Sequence, residues 1–167
     1  MNLYFLRHGL AVERADSGGG DDSERPLSPE GEEKTRKIAQ GLQRMGLSID
    51  ALVSSPFARA RRTAEIVAEE FGAKKLLEFS DDLASGGDSE SLIAHLNQEC
   101  RNAEDIMLVG HEPDLSELVS ILVTGQPGLL LTLKKGGLCK VAVQSLRYGR
   151  CGTIECLLTP KQIINAG

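Results

Sequence analysis

The amino-acid sequence predicts an α/β fold: a three-layer α/β/α sandwich with a mostly parallel sheet and an antiparallel addition at the C-terminal end. Short apolar runs alternate with amphipathic, helix-length segments through the first two thirds of the chain. The run over residues 106–109 is apolar throughout, as in a strand buried on both faces. The last third instead contains strand-like runs joined by turn residues. We expect one domain over residues 1–167.

The first elements are a strand, a loop and a helix. Residues 2–6 are predicted to form the first strand, and residues 15–24 form a polar, glycine-rich loop. A helix then begins at Ser28, an N-cap residue that is followed by proline. Gly46 fits the C-terminal cap of this helix.

The middle of the chain continues the alternation. Residues 51–53 read as a short buried strand, and a helix follows over residues 57–71. Residues 75–79 are a candidate third strand. Asp88 or Ser89 caps the next helix.

The remaining elements complete the predicted sheet. The buried strand over residues 106–109 is followed by a helix over residues 114–123. Three further strands are predicted, the last two joined as a hairpin through residues 147–152: residues 129–133, 138–143 and 153–158.

Composition excludes several classes of function. The net charge of −5 argues against nucleic acid and anionic membrane surfaces as partners. The four cysteines form no C-x-x-C pair, so neither a zinc site nor a disulfide framework is indicated, and a reducing, cytoplasmic location is expected. No run approaches the roughly 18 apolar residues that a membrane span requires.

Polar side chains follow three of the predicted strands. Arg7 and His8 end the first strand, Arg59 lies in the first turn of the helix after the second, and His111 follows residues 106–109. If these strands are parallel and adjacent, their carboxyl ends meet at one cleft. The sequence therefore predicts a pocket for a dianion that contains a nucleophile.

Other histidines and arginines are interpreted as structural. His95 lies within an amphipathic helix, and position distinguishes it from the two histidines that follow strands. Arg61 and Arg62 fit a solvated helix face.

Four motifs in this order resemble the histidine phosphatase superfamily, also called phosphoglycerate mutase-like, and within it the SixA-type phosphohistidine phosphatases. The resemblance spans residues 1 to about 160, and four motifs carry it: Arg7-His8-Gly9, Arg25-Pro26-Leu27-Ser28-Pro29-Glu30-Gly31, Ser55-Pro56-x-x-Arg59-Ala60-x-x-Thr63-Ala64, and Val109-Gly110-His111-Glu112-Pro113. The resemblance implies the phosphoglycerate mutase-like fold and a single histidine phosphatase domain.

The resemblance also implies roles for the site residues. His8 is the nucleophile, which forms a covalent phosphohistidine that water hydrolyses. Arg7, Arg59 and His111 bind the phosphoryl group, His111 best when protonated while His8 is neutral. The arginines supply the positive charge, so neither a metal nor a cofactor is expected. The implied substrate is a phosphohistidine-containing protein, for example a phosphotransfer domain.

One departure from the family pattern bears on the substrate. Relatives that act on phosphate esters usually carry an acid after the third strand, where this chain has the small residue Ala84. Asp81, Asp82 and Asp88 stay open as candidates for the general acid, but none occupies a motif position. A phosphoramidate whose imidazole is already protonated needs no such acid, so a P–N substrate is favoured.

Two alternatives to this function remain open: a small-molecule phosphomonoesterase of the same superfamily, and an inactive phosphate-binding regulatory module. A phosphoglycerate mutase is disfavoured because Ala11 and Glu13 stand where mutases usually have serine and asparagine.

Overall fold

The computed structural model describes residues 1–13 and 21–166, which form one six-stranded sheet with helices on both faces. The strands are β1 (Asn2–Arg7), β2 (Ala51–Ser54), β3 (Leu77–Phe79), β4 (Asp105–Gly110), β5 (Leu138–Val143) and β6 (Gly152–Leu158). The helices are α1 (Pro29–Arg44), α2 (Ala58–Phe71), α3 (Ser89–Glu99), α4 (Asp114–Thr124) and α5 (Pro160–Ile164). Short 3-10 turns cover Asp22–Glu24, Lys74–Leu76 and Asp81–Leu83.

The sheet has the strand order β3-β2-β4-β1-β5-β6. The first four strands in that order are parallel, and β5 and β6 add to β1 as an antiparallel pair. This confirms the predicted α/β fold with a mostly parallel sheet and an antiparallel C-terminal addition. In the register of β4, Gly110 lies beside Arg7 and Val109 lies beside Ser54, so β1, β4 and β2 end at the same edge.

Side chains of the central strands alternate between two cores, as the period of a strand requires. Leu3 and Phe5 pack into the core beneath α3 and α4, whereas Leu6 packs into the core beneath α1, α2 and α5. These cores fix the three layers of the sandwich. No helix among residues 1–13 and 21–166 is long and apolar enough to cross a membrane.

Helix boundaries follow the signals read from the sequence. The Ser28 hydroxyl accepts a hydrogen bond from the Gly31 N–H and caps α1, and the Asp88 carboxylate caps α3 in the same way. Gly46 and Gly72 adopt positive φ angles just after α1 and α2, a conformation that glycine adopts at little cost.

The prediction of a strand over residues 129–133 is wrong, because side chains satisfy backbone groups that a ladder would need. The Leu129 N–H donates to Ser120 Oγ, the Leu133 N–H donates to Glu112, and the Leu133 carbonyl accepts from Arg7. Of residues 129–133 only Leu133 is buried, so the run presents no buried face that would favour a strand.

Three further differences are smaller. The third strand begins only at Leu77, after a 3-10 turn. Helix α5, with a capping box between Thr159 and Gln162, was not expected from the sequence. Residues 14–20, which include most of the predicted loop over residues 15–24, lie outside the described part of the chain. The end of that predicted loop forms the Asp22–Glu24 turn.

Candidate active site

The common edge of β1, β4 and β2 brings His8, His111 and Arg59 into one buried cluster. The imidazole rings of His8 and His111 lie with their centroids 5.2 Å apart and their planes 53° apart. Arg59 Nε lies 3.2 Å from His8 Nε2. Arg7, the last residue of β1, lies beside them, and all four predicted residues therefore meet at one place.

Hydrogen bonds fix the tautomer of His8. Its Nδ1 atom lies 2.8 Å from the carbonyl oxygen of Gly9, which can only accept, so Nδ1 carries the proton. Nε2 then holds a lone pair, which accepts the Nε–H of Arg59. Burial lowers the pKa of His8 to about 3, and the positive charges of Arg59 and Arg7 act in the same direction. His8 is therefore a neutral imidazole whose Nε2 is suited to attack.

Of the two ring nitrogens of His111, one has a hydrogen-bond partner among the described residues and the other has none. Nε2 lies 2.8 Å from Ser55 Oγ, and the buried Nδ1 has no hydrogen-bond partner among the described residues. Burial, followed by the charge of Arg59, lowers the pKa of His111 to about 4. Both imidazoles are thus neutral near pH 7. When the Ser55 hydroxyl donates to Nε2, the Nδ1–H of His111 is a donor that needs no positive charge.

Arg59 lies in the first turn of α2 with only 4% of its surface exposed. Its Nη1 donates to the carbonyl oxygen of Asp22 at 2.7 Å, and its Nη2 donates to Asp22 Oδ2 at 2.9 Å. All three nitrogens of this guanidinium therefore have partners, of which His8 is one. These hydrogen bonds hold the Arg59 guanidinium beside the Nε2 atom of His8.

Arg7 is held by the segment that follows α4. Its Nη1 donates to the carbonyl oxygen of Leu133 at 2.8 Å, and the Leu133 N–H donates to Glu112 Oε1 at 3.2 Å. The buried Nε of Arg7 has no partner in the part of the chain that the structure describes. Part of this guanidinium is therefore available to an anion.

Thr63 joins the backbones that carry the nucleophile and the arginine. Its hydroxyl accepts the Gly9 N–H at 3.0 Å and donates to the Arg59 carbonyl at 2.7 Å. A Cβ atom at Gly9 would lie 2.5 Å from Thr35 Oγ1, so this close approach requires glycine. Thr63 belongs to a motif quoted above, but the sequence assigned it no role.

Two other contacts escaped the sequence reasoning. Ser55 belongs to a motif quoted above but was assigned no role, because a serine bonded to a buried histidine leaves no local signal. Asp22 lies in the polar loop, and only its position in space distinguishes it from the aspartate beside it.

Of the three aspartates that are candidates for the general acid, two have hydrogen-bond partners of their own. The Asp88 carboxylate caps α3, and the Asp82 carboxylate accepts from the Ser80 hydroxyl. Asp81 is exposed in its 3-10 turn. None of these three carboxylates has a recorded bond to the histidines or to Arg59 among the described residues.

The residues interpreted as structural lie apart from this cluster. His95 is one-third exposed on α3, with Nε2 3.8 Å from Glu78 Oε2. Arg61 is exposed and stacks over the ring of Phe79, and Arg62 pairs with both oxygens of Glu32.

Comparisons with known proteins identify the family to which this chain belongs. Residues 3–92 match the model of the histidine phosphatase superfamily (branch 1). An uncharacterized protein of Picosynechococcus sp. is 41% identical over 140 residues, which cover 83% of this chain and 82% of that protein. The phosphohistidine phosphatase SixA of Escherichia coli K12 is 29% identical over 133 residues, covering 79% of this chain and 80% of SixA.

The fold is shared with solved structures. The structure of the protein histidine phosphatase SixA complexed with tungstate superposes with a TM-score of 0.78 at 26% identity. The match covers 96% of this chain and 98% of that chain.

Proposed function

Because this chain belongs to the histidine phosphatase superfamily and is of the SixA type, we propose that it removes phosphate from a phosphorylated histidine on a protein. The reaction passes through a covalent phosphohistidine on His8. The observation that carries this proposal is the neutral His8 imidazole, whose Nε2 lone pair lies beside the guanidinium of Arg59.

The site supports a two-step transfer. His8 Nε2 attacks phosphorus, a P–N bond to His8 forms, and the P–N bond to the substrate imidazole breaks. Water then attacks the phosphorus of the phosphoenzyme, which releases inorganic phosphate and returns His8 to its neutral form. Arg59 and Arg7 hold the phosphoryl oxygens through charge-assisted hydrogen bonds, and His111 donates from Nδ1.

The choice of a P–N substrate is supported by the chemistry of the leaving group. A phosphohistidine whose ring is protonated releases a neutral imidazole, so the enzyme need not supply a proton at that step. Asp82 and Asp88, which follow β3, have other partners. The similarity to a phosphohistidine phosphatase supports the same class, with a protein such as a phosphotransfer domain as the partner.

A substrate comparison with two histidine variants tests the proposal. We expect the wild type to hydrolyse a phosphohistidine peptide faster than any sugar phosphate. His8→Ala should lower kcat/KM by about 10³-fold or more, whereas His95→Ala, the matched control on α3, should stay within about twofold. Circular dichroism would confirm that both variants fold.

Two outcomes would overturn the proposal. Faster hydrolysis of sugar phosphates would assign the chain to the small-molecule phosphomonoesterases. Retention of activity by folded His8→Ala would remove His8 from the role of nucleophile.

A further inference from the structure

Asp22 and His8 share one edge of the Arg59 guanidinium. Arg59 Nε donates to His8 Nε2 at 3.2 Å, and Nη2 donates to Asp22 Oδ2 at 2.9 Å. In arginine, Nη2 and the Nε–H point to the same side of the planar group. The two acceptors therefore lie side by side along one edge of the fork.

That edge is one of the two with which arginine binds a pair of oxygens of a carboxylate or phosphate. A phosphoryl group that approaches His8 Nε2 brings its oxygens to the same edge. Asp22 Oδ2 thus lies where one of those oxygens would bind. The phosphoryl group must displace this carboxylate oxygen before Arg59 can hold it with both nitrogens.

The Asp22 carboxylate is itself held in place. Arg25 Nε lies 3.2 Å from Asp22 Oδ1, and the backbone carbonyl of Asp22 accepts from Arg59 Nη1 at 2.7 Å. The neighbouring Asp21 differs, because its carboxylate accepts the Ser23 N–H and caps the turn. Only one of these two adjacent aspartates therefore contacts the arginine of the site.

We propose that Asp22 determines the affinity of the site for phosphate, because its carboxylate competes with the phosphoryl group for Arg59. Free inorganic phosphate, which gains only the contacts of the pocket, is disfavoured and leaves readily as product. A phosphoryl group carried by a larger molecule gains binding energy outside the pocket and displaces the carboxylate. This inference rests on the proposed function only in placing phosphate at Arg59.

Calorimetric titration with inorganic phosphate tests the competition. Asp22→Asn keeps the size of the side chain and one acceptor oxygen but removes the negative charge. We expect this variant to bind phosphate about tenfold more tightly than the wild type. The reason is that phosphate no longer displaces a charge-assisted hydrogen bond between Arg59 and the Asp22 carboxylate. Asp21→Asn, the matched control, should bind phosphate as the wild type does, and Arg59→Ala should bind it more weakly than both.

The outcomes separate the two proposals. If Asp22→Asn binds phosphate no more tightly than the wild type, while Arg59→Ala binds it more weakly than the wild type, the competition is overturned and the phosphate site stands. A tighter Kd for Asp21→Asn as well would assign the effect to general charge and would also overturn it. Absence of phosphate binding in every protein, the wild type included, would overturn the phosphate site and both proposals with it.

Discussion

At the scale of single residues, the reactivity of His8 depends on which ring nitrogen carries its proton. The carbonyl of Gly9 keeps the proton on Nδ1, and the lone pair of Nε2 is left to face Arg59. We expect the Nε–H of Arg59 to pass from this lone pair to a phosphoryl oxygen when a phosphoryl group binds. On the proposed mechanism, the same arginine covers the His8 lone pair before the reaction and binds the phosphoryl group during it.

The shape of the Arg59 side chain, rather than its charge alone, should matter for activity. Lysine keeps the charge but lacks the paired Nε and Nη2 donors. We expect Arg59→Lys to lower kcat/KM for a phosphohistidine peptide by about 10- to 100-fold. Arg61→Lys, on the exposed side of the same helix, is the control and should change it by less than about twofold. Equal losses in both variants would contradict a specific role for the fork.

The four predicted site residues could be found from the sequence because each follows or adjoins the carboxyl end of a strand. His8 and His111 come directly after β1 and β4, and parallel strands place such residues at one edge. Ser55 and Asp22 could not be assigned roles, since their contacts depend on how separate loops meet in space. That His111 is protonated when it donates to the phosphoryl group stays a prediction, although burial lowers its pKa to about 4 in the folded protein.

At the scale of elements, two glycines let α1 pack closely against its neighbours. A Cβ atom at Gly31 would lie 2.0 Å from the carbonyl oxygen of Leu10, and one at Gly41 would lie 2.3 Å from that of Ile163. Both contacts involve backbone, which cannot move aside as a side chain does. The first contact lies next to the segment that carries His8, and the second lies at α5.

Alanine at these two positions should therefore destabilise the fold, although alanine usually favours a helix by up to about 1 kcal/mol over glycine. We expect Gly31→Ala and Gly41→Ala each to lower the free energy of unfolding in urea by about 1–3 kcal/mol. Under conditions where both are folded, only Gly31→Ala should lose activity, because it displaces Leu10 beside the site. A stabilised Gly31→Ala protein would contradict this packing.

Local signals predicted elements well where the local chain decides the structure. The cap at Ser28 and the glycine at Gly72 are examples, because their hydrogen bonds and φ angles are set within one turn. Residues 129–133 have the composition of a strand, yet their backbone groups bond to Ser120, Glu112 and Arg7. These distant partners leave no trace in the local sequence.

At the scale of the whole molecule, the sheet buries the site and so couples it to global stability. Strand β4 lies between β1 and β2. His8 follows β1 with 4% of its surface exposed, and His111 follows β4 with 2% exposed. Each has a folded pKa well below the ordinary value of 6.5, at about 3 and about 4. Below pH 6.5 the unfolded chain therefore binds protons that the folded chain does not.

Acid should consequently destabilise the protein through these two groups. Their contribution is present above pH 6.5 and is lost as the pH falls toward 4 and then 3. We expect the free energy of unfolding in urea to fall between pH 7 and pH 5 by on the order of 1–2 kcal/mol for each histidine. His8→Gln and His111→Asn should each show a smaller fall than the wild type, and an unchanged fall in both would contradict the buried neutral state.

The central claim is that His8 carries the phosphoryl group between substrate and water, and rapid quenching tests it most directly. The wild type is mixed with a radiolabelled phosphohistidine peptide, quenched within milliseconds in base, and mapped by peptide analysis. We expect a base-stable, acid-labile phosphoenzyme that maps to His8 and is absent from folded His8→Ala. Turnover by the wild type with no phosphoenzyme at any quench time, or with the label on another residue, would contradict the claim.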